Sequence, residues 1–185
     1  ILDLKFKLPF ILKPNNLGGK RGISVVKTIS ELESAIKYTF VGTNSSTCLI
    51  EEYLDGGIEY SVESLTYHGT SYIIQITEKI SSGPPHCVEL GHSQPACISK
   101  VLKKKIIETI SEALEKIGVT NGPCHTEIKI IKDEIYLIEF NARPGGDHIA
   151  WPLVDLSTGF HYIQAAIKIA CNDFTGVDYK KIKQR

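Results

Sequence analysis

The stretch from Cys124 to Gly146 constrains this chain more than any other. Two runs rich in β-branched and aromatic residues, 124–131 and 135–141, flank the polar Lys132-Asp133-Glu134, which reads as two strands and their connection. Side chains alternate faces along a strand, so Glu139 and Asn141 share a face, and Arg143 keeps the same parity. A hairpin centred on Asp133 sets Glu127 opposite Glu139 and His125 opposite Asn141.

Directly opposed carboxylates, with Cβ atoms roughly 5 Å apart, repel one another and destabilise a sheet. Such a pair needs a cation. Glu127, Glu139 and Asn141 offer oxygen donors alone, which suits Mg²⁺ or Mn²⁺ held together with substrate phosphates. Arg143 is placed to bind a phosphoryl group bidentately. The plainer alternative is a surface hairpin with solvated glutamates, and the connection lacks the Gly that three-residue loops favour.

Bulk properties narrow the classes. Formal net charge is zero over 185 residues, so no basic field invites nucleic acid. No stretch approaches the ~20 apolar residues of a membrane span, and no signal segment opens the chain. Five scattered cysteines without CxxC spacing argue against a zinc site or a disulfide framework and fit a reducing cytosol. The chain has no Met and starts inside a segment that reads as structured, so a fragment lacking a preceding domain is expected.

Taken in order, Leu8–Pro14 reads as a strand, Asn15–Gly22 as a glycine-rich loop and Ile23–Lys27 as a returning strand. The loop fits neither the Walker pattern nor Gly-x-Gly-x-x-Gly. Ser30 and Glu33 form a capping box for a helix with an apolar stripe at Leu32, Ala35, Ile36 and Phe40. Thr47–Leu54 reads as a strand, Glu59–Leu65 and Ser71–Ile76 as a hairpin, and Ser81–His86 as a loop, with Val88–Pro95 mostly irregular. In the first hairpin strand, Glu59, Ser61, Glu63 and Leu65 share one face. A long helix is predicted over Ala96–Ile117 with Pro95 in its first turn and an apolar stripe at Ile98, Val101, Leu102, Ile106, Ile110, Ala113, Leu114 and Ile117, and a last one over Gly159–Asn172. Strand groups followed by helices indicate an α+β chain with mainly antiparallel sheets.

Several further residues carry chemistry in context. Lys13, at a strand end before the glycine loop, is suited to phosphate oxygens that the loop's amides would close over; a surface lysine is the alternative. Lys20 and Arg21 add cations to that cover. The backbone of Glu51-Glu52-Tyr53-Leu54 is suited to reading an adenine edge at a hinge, and Glu59 to ribose hydroxyls; a half-buried edge strand explains them equally. His86, Glu89, His92 and Arg143 are candidate substrate contacts, with a metal cluster or a lid loop as other readings of the two histidines and Glu89.

Together, Lys13-Pro14, Gly18-Gly19-Lys20-Arg21-Gly22, Glu51-Glu52-Tyr53-Leu54, Glu59, Glu127 and Glu139-Phe140-Asn141-Ala142-Arg143 resemble, in order and spacing, the nucleotide-binding part of an ATP-grasp enzyme. The resemblance implies two α+β lobes gripping ATP, a small lobe over 1–53 and a large lobe with the metal site over 54–185. It implies Lys13 on the α/β phosphates, the loop of Gly18, Gly19, Lys20 and Gly22 over the β/γ phosphates, Glu51, Tyr53 and Leu54 at the adenine, and Glu59 on the ribose. Glu127, Glu139 and Asn141 would hold Mg²⁺ (or Mn²⁺), and Arg143, with Lys13, would act in catalysis.

The segments 83–92 and 143–148 look most like the L-amino acid (dipeptide) ligase branch; carbamoyl-phosphate synthetase and biotin carboxylase resemble them less there. On that likeness His86, Glu89, His92, Gly145 and Gly146 meet the substrate. The implied reaction phosphorylates a carboxylate with ATP and passes the acyl phosphate to an amine, both small molecules such as amino acids, with no nucleic acid or membrane partner; a homodimer is left open. Alternatives are a non-catalytic or regulatory nucleotide-binding module, or an enzyme of the biotin-carboxylase or carbamoyl-phosphate-synthetase type.

Overall fold

The computed structural model describes residues 7–183. It contains two compact units. The first comprises the described residues up to Gly56 together with Ile80–Gly91; the second comprises Gly57–Lys79 and the described residues from His92 onward.

In the first unit, β1 (Phe10–Pro14) pairs antiparallel with β2 (Ser24–Val26) on one side and with β3 (Cys48–Glu52) on the other. The expected order of strand, glycine loop and strand is present. Helix α1 (Leu32–Thr39) packs on this sheet, and Phe10, Leu12, Val26 and Ala35 form the core. The helix starts differently from the sequence expectation. A 3-10 turn, Ile29–Glu31, precedes it, and Thr28 with Glu31 takes the capping role assigned to Ser30 and Glu33. The Glu31 carboxylate accepts the amides of Lys27 (2.8 Å) and Thr28 (3.3 Å). Glu33 is drawn instead into an ion pair with Lys37, one turn along the exposed face.

The larger sheet holds β4 (Ile58–Tyr67), β5 (Thr70–Ser81), β6 (Glu89–Ser93), β7 (Gly122–Ile131) and β8 (Glu134–Asn141), in the order β6-β5-β4-β7-β8. The arm joining β5 to β6 belongs to the first unit. On β4, Tyr60 and Val62 face the core built with Ile106, Ile110 and Leu114 of α2 (Lys100–Lys116). Leu65, of opposite parity, joins the core of α3 (Val154–Thr158) and α4 (Tyr162–Ala170). The sheet is thus covered on both faces, and its polar rows lie on the α3/α4 side.

Three expectations need correction. Helix α2 begins at Lys100, not Ala96, because Ser99 caps it by accepting the Leu102 amide at 3.1 Å. Its apolar stripe is narrower than expected: Val101 and Ile117 are exposed. The last helix is shorter than 159–172, and helical structure appears earlier, in Ile149–Leu153, kinked where Trp151 is extended, and in α3. Gly159, at φ 70°, divides α3 from α4.

The β7–β8 hairpin reaches its expected pairing by an unexpected route. Ile131 pairs with Glu134, so the turn has two residues, Lys132 and Asp133, at φ 50° and 65°, the backbone signature of a type I′ turn. A bulge then shifts the register between Ile128↔Leu137 and Glu127↔Glu139. The shorter turn and the extra residue offset one another, and Glu127 faces Glu139 while His125 faces Asn141.

Candidate active site

The second unit carries the candidate metal site on its polar rows. Across β5, β4, β7 and β8 the registers align Thr77, Ser61, Glu127 and Glu139 in one row and Gln75, Glu63, His125 and Asn141 in the next. Lys79, Glu59 and Lys129 form a third. Each row has the parity that points away from α2, because the intervening residues Tyr60, Val62, Cys124 and Ile128 fill the α2 core.

Burying charge is costly without partners, and the partners are present. Lys79, its side chain 2% exposed, reaches past the small Ser61 to place Nζ 2.8 Å from Oε1 of Glu127. His125 Nε2 stands 3.5 Å from the same oxygen. His125 Nδ1 hydrogen-bonds Oε1 of Glu63, whose side chain is fully buried. Burial alone would push the imidazole pKa down; the hydrogen bonds and charges of Glu127 and Glu63 outweigh it and raise it to about 9. Burial likewise favours a neutral Glu127, but the His125 hydrogen bond and the Lys79 ammonium hold its carboxyl well below the usual range. Glu127 is therefore an anion at neutral pH.

The residues present fit a hard divalent cation. Glu127 and Glu139 are direct cross-strand neighbours. Asn141, in the adjacent row, has a buried side-chain amide nitrogen with no hydrogen-bond partner among the described residues. Amide nitrogen and oxygen exchange places by a simple flip, which turns the Asn141 oxygen toward that unfilled position. Two carboxylates and an amide oxygen are the donors Mg²⁺ or Mn²⁺ takes. Lys79 and His125 both engage Oε1 of Glu127, so Oε2 is the oxygen it would offer.

Of the other predicted residues in this unit, Glu59 lies 3.9 Å from Lys129 Nζ. Arg143 is exposed, donating from Nη1 to the Pro144 carbonyl at 2.9 Å. Gly145 donates its amide to Oε2 of Glu63 at 3.1 Å. Gly146 has open space where a Cβ would stand. His92 lies at the β6 end of the same unit.

The first unit holds the remaining candidates. Lys13 Nζ meets Oε2 of Glu51 at 2.5 Å across the β1–β3 pair. Tyr53 donates its amide to Pro9 at 3.4 Å, and Leu54 follows it beyond β3. A Cβ added at Gly18 or Gly19 would meet open space, whereas one at Gly22, where φ is 72°, would stand 3.1 Å from Pro14 and from the Thr39 carbonyl oxygen. Lys20 Nζ is 3.4 Å from Oε1 of Glu89. His86 bonds the Ile23 carbonyl through Nδ1 at 3.1 Å, and its ring lies tilted against that of Tyr38, centroids 4.3 Å apart. The glycine loop and the 80–91 arm are therefore tied together within one unit.

Sequence reading alone leaves Lys79 and Glu63 unassigned. The alternation 59-61-63-65 had placed Glu63 on a shared face with Glu59. Nothing local marked Lys79, whose partner is two strands away.

Comparison with known proteins identifies the family. Residues 6–151 match the family described as ATP-grasp domain. The chain is 37% identical over 147 residues to a D-alanine–D-alanine ligase of Flavobacterium johnsoniae, covering 76% of this chain and 44% of that protein. It is 28% identical over 166 residues to the carbamoyl phosphate synthase large chain of Thermotoga sp., covering 87% of this chain and 14% of that one. Its fold superposes on the crystal structure of L-amino acid ligase from Bacillus licheniformis with a TM-score of 0.76 at 26% identity, over 92% of this chain and 42% of that one. The chain thus spans less than half the length of each of these relatives. With a match over most of its length and two antiparallel sheets backed by helices, the chain belongs to the ATP-grasp family.

Proposed function

We propose that this chain is the nucleotide- and metal-binding part of an ATP-dependent carboxylate–amine ligase working through an acyl phosphate. The observation that carries the reading is the juxtaposition of Glu127, Glu139 and Asn141 on paired strands of an ATP-grasp chain. D-alanine–D-alanine ligase and L-amino acid ligase, among the relatives, join two small amino-acid-type substrates by name. A small amino acid or similar carboxylic acid is the substrate class assigned here.

In this reading Lys13 and the amides around Gly18 and Gly19 bind the phosphates, Glu51, Tyr53 and Leu54 the adenine, and Glu59 the ribose. Glu127, Glu139 and Asn141 hold Mg²⁺ (or Mn²⁺), which when bound neutralises charge developing on the transferred phosphoryl group. Lys79 and His125 hold Glu127 ionised and oriented. Arg143, exposed and with donors to spare, steadies the phosphoryl oxygens. His86, Glu89 and His92, with Gly145 and Gly146, border the acceptor substrates. Little covalent chemistry is asked of the protein; orientation and charge complementarity supply the rate. The five free cysteines suit a reducing compartment, and the cytosol is part of the reading.

Calorimetric titration of ATP with and without Mg²⁺ tests it. Nucleotide binding is expected to strengthen with Mg²⁺, and Glu139→Gln is expected to remove most of that gain while leaving Mg²⁺-free binding unchanged. Undiminished Mg²⁺ dependence in the variant would sink the metal assignment. Phosphate release by the full-length protein on addition of amino-acid pairs separates a ligase from a non-catalytic nucleotide-binding module.

A further inference from the structure

The buried Glu63 has no part in the function proposed above, yet both of its carboxylate oxygens are engaged. Its side chain is fully buried. One oxygen is bonded to His125 Nδ1. The other accepts the Gly145 amide at 3.1 Å from the loop that follows β8. That loop lies so close that a Cβ on Gly145 would stand 2.5 Å from Oε1 of Glu63 and 2.7 Å from His125 Nδ1. The same imidazole reaches Glu127 through its other nitrogen.

A buried ion pair is a poor way to gain stability, since an apolar pair of similar volume commonly serves as well. What an apolar pair cannot do is accept a backbone amide and orient an imidazole together. Glu63 does both, and its two contacts lead in different directions. One runs through His125 to the carboxylate of Glu127. The other runs to the backbone two residues beyond Arg143. After Gly145 and Gly146 the loop turns sharply: Asp147 and His148 both adopt positive φ, at 49° and 63°, and Ile149 donates back to Gly146 at 2.8 Å.

We propose that Glu63 is a positioning residue that clamps the Arg143–Gly146 loop to the metal-facing strands, setting the loop and Glu127 in one fixed geometry. The proposal rests on the metal role assigned above to Glu127, Glu139 and Asn141. Outer partners that orient metal ligands typically change metal affinity by about 10–100-fold when removed. Glu63→Gln keeps the geometry: its amide oxygen accepts from Gly145, and, with the Glu63 charge that helps keep His125 protonated removed, its nitrogen donates to Nδ1 of a neutral imidazole that retains its proton on Nε2, toward Glu127. Glu63→Ala removes both contacts.

The test measures Mn²⁺ affinity of the ATP-bound chain by calorimetry and exchange protection of the Gly145 amide by NMR. Glu63→Ala is expected to weaken Mn²⁺ by about tenfold or more, to leave metal-free ATP affinity unchanged, and to strip protection from Gly145. Glu63→Gln is expected to restore both readouts to near the parent values. Equal loss of metal-free and metal-dependent binding, or a Gln variant as impaired as the Ala variant, would overturn the clamp. If Glu63→Ala does not fold, Gly145→Ala takes its place: the new methyl displaces the loop from Glu63, and parent-like Mn²⁺ affinity would count against the proposal. A parent chain that binds no Mn²⁺·ATP overturns the proposed function instead, and the clamp is then decided by Gly145 protection in the Glu63 variants.

Discussion

Single residues carry the sharpest consequences. Gly57 sits at φ 71°, and a Cβ there would lie 2.3 Å from the Ile130 carbonyl oxygen. Both the dihedral and the space exclude a side chain, so Gly57→Ala is expected to destabilise the second unit by about 2 kcal/mol or more, read from urea unfolding. A cost under half that size would mean the β4 entry relaxes freely. Glu31 responds to acid. The Lys27 amide, first, holds its carboxyl below the ordinary 4.5 against opposing desolvation, with the Thr28 amide adding to the lowering. A lowered acid stabilises the fold above its unfolded pKa and loses that contribution as pH falls through the folded value. Carboxyl NMR is therefore expected to show Glu31 titrating below 4.5, with the start of α1 loosening as it protonates. Titration at or above 4.5 would refute the cap assignment.

At the scale of elements, the β7–β8 hairpin shows how a register arises. Two L-residues at positive φ, Lys132 and Asp133, close the turn, although that backbone favours Asn-Gly. Replacing them with Asn and Gly removes left-handed strain of about 1–2 kcal/mol per residue at most, offset in part by the greater freedom of Gly in the unfolded chain. The double variant is expected to raise the melting temperature with unchanged Mg²⁺-dependent binding; a lowered one would show the turn to be stabilised by its side chains. Lys105 donates to the Asp133 carbonyl at 2.6 Å, a contact the change leaves intact. The bulge is the part no sequence rule supplied. Its extra residue is what keeps Glu139 and Asn141 on the face of Glu127 after a two-residue turn.

At the scale of the whole chain, the first unit has one core and the second has two of different size, one on each face of its sheet. The larger rests on α2, where Ile106, Ile110 and Leu114 are fully buried, and Ile110→Ala is expected to cost about 2–5 kcal/mol by calorimetric or urea unfolding. Preserved stability would mean that the sheet closes over the gap. Most of this architecture was legible in the chain. Period-2 alternation marked β4, β7 and β8, a 3.6 period marked α1 and α2, and the order of glycine loop, hinge and acidic strand pair marked the family. Two helix starts were misread because one capping side chain outweighs several residues of pattern: Ser99 for α2, Thr28 and Glu31 ahead of α1. Sequence by itself determined which residue types share one face of the hairpin, because strand parity is local: Glu127, Glu139 and Asn141 are the residues proposed to hold the metal. Only the tertiary structure decided what holds them. Lys79 comes from two strands away, Glu63 from β4 and Gly145 from the loop after β8. Buried charges find their partners through sheet order and register, and no local stretch of sequence encodes either.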